Sequence, residues 1–366
     1  MHRTLAALLA LVALVTGAPA QDPADENDAP LRIAVIGLVH GHVEGVLWNA
    51  RERDDLEIVG VYDPNPALFE KYKAKYHLDE SLYYGDLGAM LDETEPEAAS
   101  VMTSIKDHMQ AVEACATRGV HTLVEKPLAI SADDAREMKR LADEHDVLVL
   151  TNYETSWYTS VRTAKRLADE TSPIRRAVFR HGHKGPVEIG CSPEFLDWLT
   201  DPDENGGGAV IDFGCYGANI MTWLMNNKRP NTVSATLKTL KPDVYPNVDD
   251  DATIVLTYDD SVAVIQGSWA WTHDNKDMDL YTTGASYHAQ KWDTLEERHE
   301  NQPRAQVKPD PRDPWMTNEW SYLRKVVRGE CDVDPLSSIE NNLIVCEILD
   351  AARESAKTGR TITFDD

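Results

Sequence analysis

One stretch decides the fold, and it reads Val120-His121-Thr122-Leu123-Val124-Glu125-Lys126-Pro127. Its first five residues form a short, apolar run bounded by breakers, which predicts a buried parallel strand. Pro127 restricts Lys126 to an extended conformation, so the strand ends with that lysine in a defined pose. In an open α/β sheet, ligands bind beyond the carboxyl ends of the strands, which makes Lys126 a candidate ligand contact. A surface lysine paired with Glu125 fits the same residues.

Strands and helices alternate around this stretch, from residue 31 to residue 150, which predicts a parallel, doubly wound sheet. The predicted strands cover residues 31–36, 56–62, 83–86, 98–103, 120–124 and 147–150. Helical patterns fill the intervals at about residues 43–53, 87–91, 107–118 and 131–145. We therefore expect an α/β domain of the Rossmann type over residues 31–152.

The turn after the first strand reads Gly37-Leu38-Val39-His40-Gly41-His42 and leads directly into a helix. Strand, glycine turn and helix form the unit in which backbone N–H groups bind a pyrophosphate. The fingerprint G-x-G-x-x-G is broken here, because Val39 takes its second glycine position and His42 its third. The candidate cofactor-binding residues of this loop are Gly37, Val39, His40, Gly41 and His42.

Asp63 follows the second predicted strand, 26 residues after Gly37. A carboxylate at this point of a dinucleotide-binding unit can bind the hydroxyls of the adenosine ribose. Residues 62–66 contain no cation that could bind a 2′-phosphate, which favours NAD over NADP. The alternative is an ordinary strand-end acid that caps the next helix.

After Thr151 the pattern changes to one in which strands dominate. We expect a helix at residues 159–170, strands at 175–183, 232–240, 252–258, 261–271, 278–283 and 361–364, and closing helices at 314–328 and 336–357. This pattern predicts an α+β substrate-binding domain over residues 153–366, built on a mostly antiparallel open sheet. Its last long helix is expected to pack back on the first domain.

The second informative stretch reads Asn205-Gly206-Gly207-Gly208-Ala209-Val210-Ile211-Asp212-Phe213-Gly214-Cys215-Tyr216-Gly217. Its three consecutive glycines permit a close approach of the backbone to another group. Asp212 and Tyr216 are four residues apart, so they share one face of a helix. A carboxylate and a phenol placed in this way could form a buried structural pair, or an acid/base pair that acts on a substrate hydroxyl.

Together these motifs resemble those of the Gfo/Idh/MocA family, named for glucose–fructose oxidoreductase and inositol dehydrogenase. Residues 125–127 are similar to the family's E-K-P motif, whose lysine is catalytic. Residues 206–216 are similar to its G-G-G-x-x-x-D-x-G-x-(H/Y) motif, and residues 358–360 also match. The resemblance covers essentially the whole mature chain. The departure is Val39, which would crowd the pyrophosphate where the family has glycine.

The resemblance implies NAD-dependent hydride transfer to or from the secondary alcohol of a sugar or sugar derivative. Its implied catalytic residues are Lys126, Asp212 and Tyr216. Tyr216 would exchange the hydroxyl proton, while Lys126 would hydrogen-bond that oxygen and lower the pKa of the exchanging group. Asp212 would orient Lys126 or a neighbouring hydroxyl. Glu125 and Lys126 are also expected to contact the cofactor, and the family implies homodimers or tetramers through the open sheet.

Aromatic and histidine side chains are candidate sugar contacts, because rings meet sugar C–H groups and imidazoles bind hydroxyls. These candidates are His108, Tyr153, Trp157, His181, His183, Trp198 and His273, and each alone is more often a packing or surface residue. His181 and His183 share one face of a predicted strand and could contribute to a metal site. No complete ligand set is visible in the sequence, so we predict no metal.

The first 20 residues have the pattern of a secretory signal peptide, with a basic start, a short apolar run and small residues near its end. A membrane anchor is the alternative, but the apolar run is too short to span a bilayer. We therefore expect a secreted or periplasmic protein with no membrane segment after processing. A formal net charge of −26 argues against nucleic-acid binding, since lysine and arginine supply phosphate affinity.

The five cysteines, Cys115, Cys191, Cys215, Cys331 and Cys346, are irregularly spaced and include no CxxC pair. They predict neither a disulfide framework nor a zinc site.

Export constrains the function, because free NAD is a cytosolic resource and an exported enzyme must keep and regenerate its cofactor. One alternative is an NAD-dependent glycosidase that oxidises a sugar carbon transiently, eliminates the glycosidic group and takes the hydride back. The family has such a branch, and its glycine–histidine-rich loop is similar to residues 39–42. A second alternative, supported only by Val39, is a sugar-binding protein without a cofactor.

Overall fold

The first domain is built on a sheet of six parallel strands. The structure, a computed structural model, describes residues 29–51 and 53–364, so the predicted signal peptide lies outside the described residues. The strands are β1 (Leu31–Ile36), β2 (Leu56–Tyr62), β3 (Tyr83–Tyr84), β4 (Ala98–Val101), β5 (His121–Glu125) and β6 (Val149–Asn152). Their spatial order is β3-β2-β1-β4-β5-β6, which confirms the predicted doubly wound sheet.

Five helices connect these strands and cover the sheet. They are α1 (Val43–Ala50), α2 (Pro66–Tyr76), α3 (Leu87–Thr94), α4 (His108–Ala116) and α5 (Ala132–His145). The predicted third strand, residues 83–86, was too long. It ends at Tyr84 because the Asp86 side chain accepts the Ala89 N–H at 2.8 Å and so caps α3.

The second domain is built on a nine-stranded sheet. Its strands are β7 (Ile174–Gly182), β8 (Thr232–Lys238), β9 (Asp251–Thr257), β10 (Val262–Ser268), β11 (Asn275–Thr282), β12 (Ala285–Gln290), β13 (Thr294–His299), β14 (Ala305–Val307) and β15 (Ile362–Thr363). They lie in the order β14-β13-β12-β11-β7-β10-β9-β8-β15. Among the strand pairs that the structure describes in this sheet, only β7 and β10 are parallel, so the prediction of a mostly antiparallel sheet is confirmed.

The remaining helices pack on this sheet or, in the case of the helix at residues 319–327, in the core of the first domain. They are α6 (Thr159–Thr171), α7 (Pro193–Leu199), α8 (Pro202–Asn205), α9 (Ala209–Asp212), α10 (Gly214–Leu224), α11 (Glu319–Val327) and α12 (Ile339–Thr358). The predicted helix 314–328 is broken, because Asn318 is extended and caps α11 by accepting the N–H groups of Trp320 and Ser321. None of the described helices is both long and apolar enough to cross a membrane.

The long helix α12 contacts both domains. On the side of the first domain, Asp350 of α12 accepts the backbone N–H of Ala132 in α5 at 2.8 Å, and Glu347 pairs with Arg136 at 3.2 Å. On the other side, α12 packs on α10 and β8. The domains therefore meet across a contact that includes charged groups as well as apolar ones.

The carboxyl edge of the parallel sheet positions the chemistry. Gly37 directly follows β1, Asp63 follows β2 and Lys126 follows β5. All three strands run in the same direction, so these residues lie along one edge of the sheet. The glycine stretch with α9 and α10 faces this edge, since Lys126 contacts Asp212.

Candidate active site

A close backbone contact and hydrogen bonds to Asp63 fix the conformation of the turn after β1. Gly37 has a φ of +86°, and a Cβ there would approach the Thr103 backbone nitrogen at 2.8 Å, so only glycine fits. Asp63 fixes the turn from the next strand, since its Oδ2 accepts the Leu38 N–H at 2.8 Å and its Oδ1 accepts the Asn65 N–H at 2.8 Å. Burial raises the pKa of Asp63.

A cleft of about 440 Å³, here called the Asp63 cavity, opens beside this turn. Its walls combine apolar side chains with carboxylates, hydroxyls and an amide. They include Gly37, Val39, Asp63, Asn65, Leu68, Thr103, Ser104, Asp107, Glu194, Asp197 and Trp198. Apolar surface for an adenine and oxygen acceptors for ribose hydroxyls are thus both present.

Two backbone donors of the loop remain available to a ligand. The N–H of His40 donates to the Met102 carbonyl at 3.1 Å, and that of His42 donates to Nδ1 of His40 at 3.1 Å. Among residues 29–51 and 53–364, none accepts a hydrogen bond from the N–H groups of Val39 and Gly41. These groups fit the anionic part of a dinucleotide.

A second cleft, of about 400 Å³ and here called the Lys126 cavity, lies on the other side of α7. Glu194, Asp197 and Trp198 of α7 line the Asp63 cavity, whereas Phe195 and Leu199 line the Lys126 cavity. Residues of the phosphate loop divide in the same way, with Val39 on one side and His40, Gly41 and His42 on the other. A pair of clefts joined by the phosphate loop suits a ligand with two halves, such as a dinucleotide.

Lys126 and Asp212 form a buried ion pair at the floor of the Lys126 cavity. The Lys126 Nζ donates to Asp212 Oδ1 at 2.5 Å and to the Asp212 carbonyl at 3.2 Å. The other carboxylate oxygen of Asp212 accepts the Trp269 Nε1–H at 2.8 Å. Burial would lower the pKa of Lys126, but the Asp212 carboxylate outweighs it and leaves the pKa raised. Asp212 therefore orients Lys126 as a charged donor.

Tyr216 lies beside this ion pair, with its ring centroid 5.2 Å from the Lys126 Nζ. It lines the same cavity, and no hydrogen bond from a described residue occupies its hydroxyl. Burial raises the pKa of Tyr216 well above its usual value, and the Glu154 carboxylate raises it further. The prediction that Lys126 lowers the pKa of the proton-exchanging group stays a prediction, and the net effect of the surroundings in the structure is to raise the pKa of Tyr216. Tyr216 is a neutral phenol at ordinary pH.

Lys276 and Glu154 belong to this site although the sequence did not indicate them. The Lys276 Nζ lies 4.8 Å from the Tyr216 ring centroid and pairs with Glu154. Glu154 also accepts the Tyr158 hydroxyl at 2.6 Å. Lys276 pairs with His181 across β11 and β7, so a reliable strand register would have placed it on the face of His181.

Four of the seven remaining predicted site residues line one of the two cavities or pack behind Tyr216. His183 lines the Lys126 cavity and Trp198 lines the Asp63 cavity. His181 and Tyr153 are buried behind Tyr216, with ring centroids 5.6 and 5.5 Å from it, so they support that ring.

Three candidates lie away from the Lys126 cavity. His108 is buried, with its Nδ1 3.1 Å from the Leu128 carbonyl. Trp157 packs on Tyr322 in the core of the first domain, and His273 is exposed. The structure does not bring these three rings to the cavity wall.

His40, His42 and Glu125 meet beneath the loop, in a group whose ligand atoms lie within 4.8 Å of one another. Two imidazoles and a carboxylate are ligand types that bind metals, but the hydrogen bonds of His40 do not leave it free to act as a ligand. Nδ1 of His40 accepts the His42 N–H, which places the ring proton on Nε2, the nitrogen 4.0 Å from Glu125. In this tautomer Nε2 has no lone pair for a metal. His40 and His42 therefore act as partners of the Glu125 carboxylate.

Glu125 is a fixed buried anion. Its Oε1 accepts the Asn152 amide N–H at 3.1 Å, and its Oε2 accepts the Lys126 N–H at 3.2 Å and lies 3.2 Å from His42 Nδ1. Burial would raise the pKa of Glu125, but His42, His40 and Lys126 lower it well below its usual value. The anion holds the peptide that carries Lys126 in place.

Two family models match the chain. Residues 31–153 match the model described as "Oxidoreductase family, NAD-binding Rossmann fold", and residues 161–288 match "GFO/IDH/MocA C-terminal domain". The break between them falls near the boundary seen between the two sheets.

Named relatives and a solved structure are also similar. D-xylose 1-dehydrogenase [NADP(+)] of Haloarcula marismortui is 24% identical, over 74% of this chain and 75% of the relative. Trans-1,2-dihydrobenzene-1,2-diol dehydrogenase of Sus scrofa is 24% identical, over 65% of this chain and 66% of the relative. The structure of an inositol dehydrogenase homologue from Azotobacter vinelandii, complexed with NAD+, superposes with a TM-score of 0.79 at 18% identity, over 92% of this chain and 97% of that one.

Proposed function

Since this chain belongs to the GFO/IDH/MocA oxidoreductase family, we propose that it transfers a hydride between NAD and a secondary alcohol of a sugar or sugar derivative. The protein is an NAD(P)-dependent oxidoreductase acting on CH–OH groups, and its named relatives are dehydrogenases. Its first domain is an NAD-binding Rossmann fold. The substrate, the direction of hydride transfer and the roles of individual residues are the proposal.

One observation carries the proposal. A charged lysine, a buried carboxylate and an unoccupied phenol hydroxyl converge in one cavity at the carboxyl end of β5. The strand edge where they lie is the edge at which doubly wound folds bind dinucleotides. A substrate oxygen in this cavity can therefore meet a proton donor and a cation at the same time.

The protein's own groups handle the proton and the charge. Bound NAD supplies or accepts the hydride. In the reducing direction, Tyr216 donates its hydroxyl proton to the carbonyl oxygen of the substrate, which suits a phenol that is neutral at ordinary pH. Lys126 stabilises the negative charge that develops on that oxygen, while Asp212 keeps the Lys126 Nζ in place. Oxidation runs through the same groups in reverse.

NAD fits the residues of the Asp63 cavity better than NADP does. The Asp63 carboxylate retains lone pairs after accepting its two backbone N–H groups, so it can accept ribose hydroxyls. A 2′-phosphate at the same place would meet a carboxylate, and Asp107, Glu194 and Asp197 also line this cavity. We therefore propose NAD as the cofactor, although one named relative is NADP-dependent.

The test measures the oxidation of a panel of sugars and polyols with NAD+, and the rate is read from the absorbance of the NADH that forms. Tyr216→Phe and Lys126→Met should each lower kcat by about 10²- to 10⁴-fold, because each removes a group that acts on the reacting oxygen. Tyr258→Phe is the matched control, since its buried hydroxyl, near the β9–β10 turn, has no hydrogen-bond partner among the described residues. Full activity in both Tyr216→Phe and Lys126→Met would refute the assignment.

Location and assembly complete the proposal. We propose that residues 1–20 direct export, that the exported enzyme retains its NAD, and that copies associate through the open face of the nine-stranded sheet. The two alternatives stated from the sequence compete with net oxidation. Release of an aglycone with no net NADH would favour the glycosidase, and sugar binding without any nucleotide would favour the non-catalytic protein.

A further inference from the structure

Apolar side chains are exposed on a loop that lines the Lys126 cavity through Ile189 and on a second loop that contacts it. Val187 and Ile189 are 44% and 46% exposed, and on the adjoining loop Leu240 and Val244 are 58% and 39% exposed. Four branched aliphatic side chains left in water on two neighbouring loops are unusual for a surface, and such patches commonly mark a binding site. We call these four residues the apolar rim.

The loop that carries Val187 and Ile189 is pinned in this orientation. Its backbone closes on itself, since the N–H of Ile189 donates to the Gly185 carbonyl at 3.0 Å. Glu188 turns towards the other loop, where it pairs with Lys241 and accepts the Tyr245 hydroxyl at 2.5 Å. The acid is thus used for anchoring while its two aliphatic neighbours face outwards. If solubility alone decided the arrangement, the acid would face the solvent and the two aliphatic side chains would be buried.

The apolar rim is continuous with the wall of the cavity. Ile189 both lines the cavity and is exposed, so it joins the inner surface to the outer one. The cavity wall also includes Pro186, Phe195, Leu199 and Phe213, and the Phe213 ring lies 4.9 Å from that of His183. A ligand held at the floor by hydroxyl groups would therefore extend along an apolar path towards the rim.

We propose that the substrate is a glycoside, a sugar whose anomeric oxygen carries an aromatic or other apolar group that lies against Ile189 and Val187. This inference rests on the proposed oxidoreductase function and names its substrate class. The sugar ring binds at Lys126, Tyr216 and His183, where polar groups converge, and the apolar group leaves the cavity at the rim. Because the anomeric carbon is blocked in a glycoside, the oxidised carbon is one of the ring hydroxyl carbons.

The experiment compares phenyl and methyl β-D-glycosides of glucose, galactose and xylose as substrates with NAD+. For the sugar that reacts, the phenyl glycoside should exceed the methyl glycoside in kcat/KM by roughly 10- to 100-fold, the range that differences in apolar contact give. Ile189→Ser and Val187→Ser should reduce this ratio towards one, because they should lower kcat/KM for the phenyl glycoside more than for the methyl glycoside. Trp48→Ser, a change at an exposed ring on α1, should preserve the ratio.

Several results would overturn the inference without touching the proposed function. These are equal kcat/KM for phenyl and methyl glycosides, reaction of free aldoses alone, and a ratio that Ile189→Ser leaves unchanged. If Ile189→Ser lowers both activities equally and also dissociates an oligomer seen by light scattering, the rim is a contact between copies and the inference fails. Absence of NAD reduction with every sugar and glycoside would instead contradict the proposed function itself.

Discussion

Among single residues, Asp212 makes the most specific contribution to the site. It is buried, and its two carboxylate oxygens bind Lys126 and Trp269. In Asp212→Asn the pKa of Lys126 should fall, because the carboxylate that raises it is gone. In the proposed mechanism Lys126 acts as a cation, so the alkaline limb of the pH profile of kcat/KM should move to lower pH. The unpaired buried lysine should also lower the free energy of unfolding by about 3 kcal/mol.

The matched control for this variant is Asp279→Asn. Asp279 is also buried, and it pairs with Arg180 at 2.7 Å and His288 at 2.8 Å on the second sheet. The Asp279→Asn variant should be less stable than the wild type, but the alkaline limb of its kcat/KM pH profile should not move. A pH profile of Asp212→Asn that superposes on that of the wild type would show that Asp212 does not set the charge of Lys126.

Lys126, Asp212 and Tyr216 could be identified from the sequence, because their neighbours in the chain restrict them. Pro127 follows the lysine, and a glycine run precedes the acid and the phenol. Lys276 and Glu154 could not be identified, since they lie 122 residues apart and meet only when β11 packs beside β7. Their recognition requires the register of a sheet, which no local pattern gives.

At the scale of elements, the glycine stretch is fixed by a carboxylate from the loop before β9. Asp249 accepts the N–H groups of Gly208 and Val210 at 2.8 and 2.7 Å, and so caps α9. A Cβ at Gly208 would lie 1.8 Å from the Asp249 carbonyl oxygen. The glycine is needed here for a close approach between two backbone segments, and not for contact with a ligand.

Gly208→Ala should therefore misplace Asp212 and Tyr216. We expect a fall in the urea midpoint and a loss of kcat/KM of about 10²-fold or more, since small displacements of reacting groups cost that much. Gly45→Ala is the control, because nothing lies within 4 Å of a Cβ there and alanine favours the α1 helix by up to about 1 kcal/mol. Wild-type turnover in Gly208→Ala would contradict the role given to this contact.

The elements of the first domain could be predicted well because apolar strands and amphipathic helices alternate there. Strands β12, β13 and β14 were missed, since residues 285–307 are largely polar and lie at one edge of the second sheet. The short helices α7 and α8 were also missed, because four to seven residues give too little periodicity. Yet α7 divides the two cavities, so the missing elements matter for the site.

For the whole molecule, buried histidines should make folding sensitive to mild acid. Burial lowers the pKa of His181 to about 3 and that of His108 to about 4. Unfolded histidine has a pKa near 6.5, so the unfolded chain takes up more protons between about pH 6.5 and pH 4. Stability is fully present above that range and falls as the pH drops through it. His108 alone contributes about 3 kcal/mol to this loss.

Urea unfolding at several pH values between 7.5 and 4.5 measures this effect. His181→Phe keeps a ring against Tyr216 and should flatten the dependence of stability on pH. The exposed His273→Phe should leave that dependence as it is in the wild type. An equally steep loss of stability in His181→Phe would show that this buried ring does not cause it.

The central claim is that this molecule works with a bound dinucleotide, and nucleotide analysis tests it most directly. The purified mature protein is denatured and its supernatant assayed for NAD(H) and NADP(H), and nucleotide-free protein is then titrated with NAD+ and NADP+ by calorimetry. We predict one site per chain that binds NAD+ at least about tenfold more tightly than NADP+, a difference of about 1.4 kcal/mol. Absence of nucleotide in the supernatant, together with no heat of binding for either dinucleotide, would contradict the account.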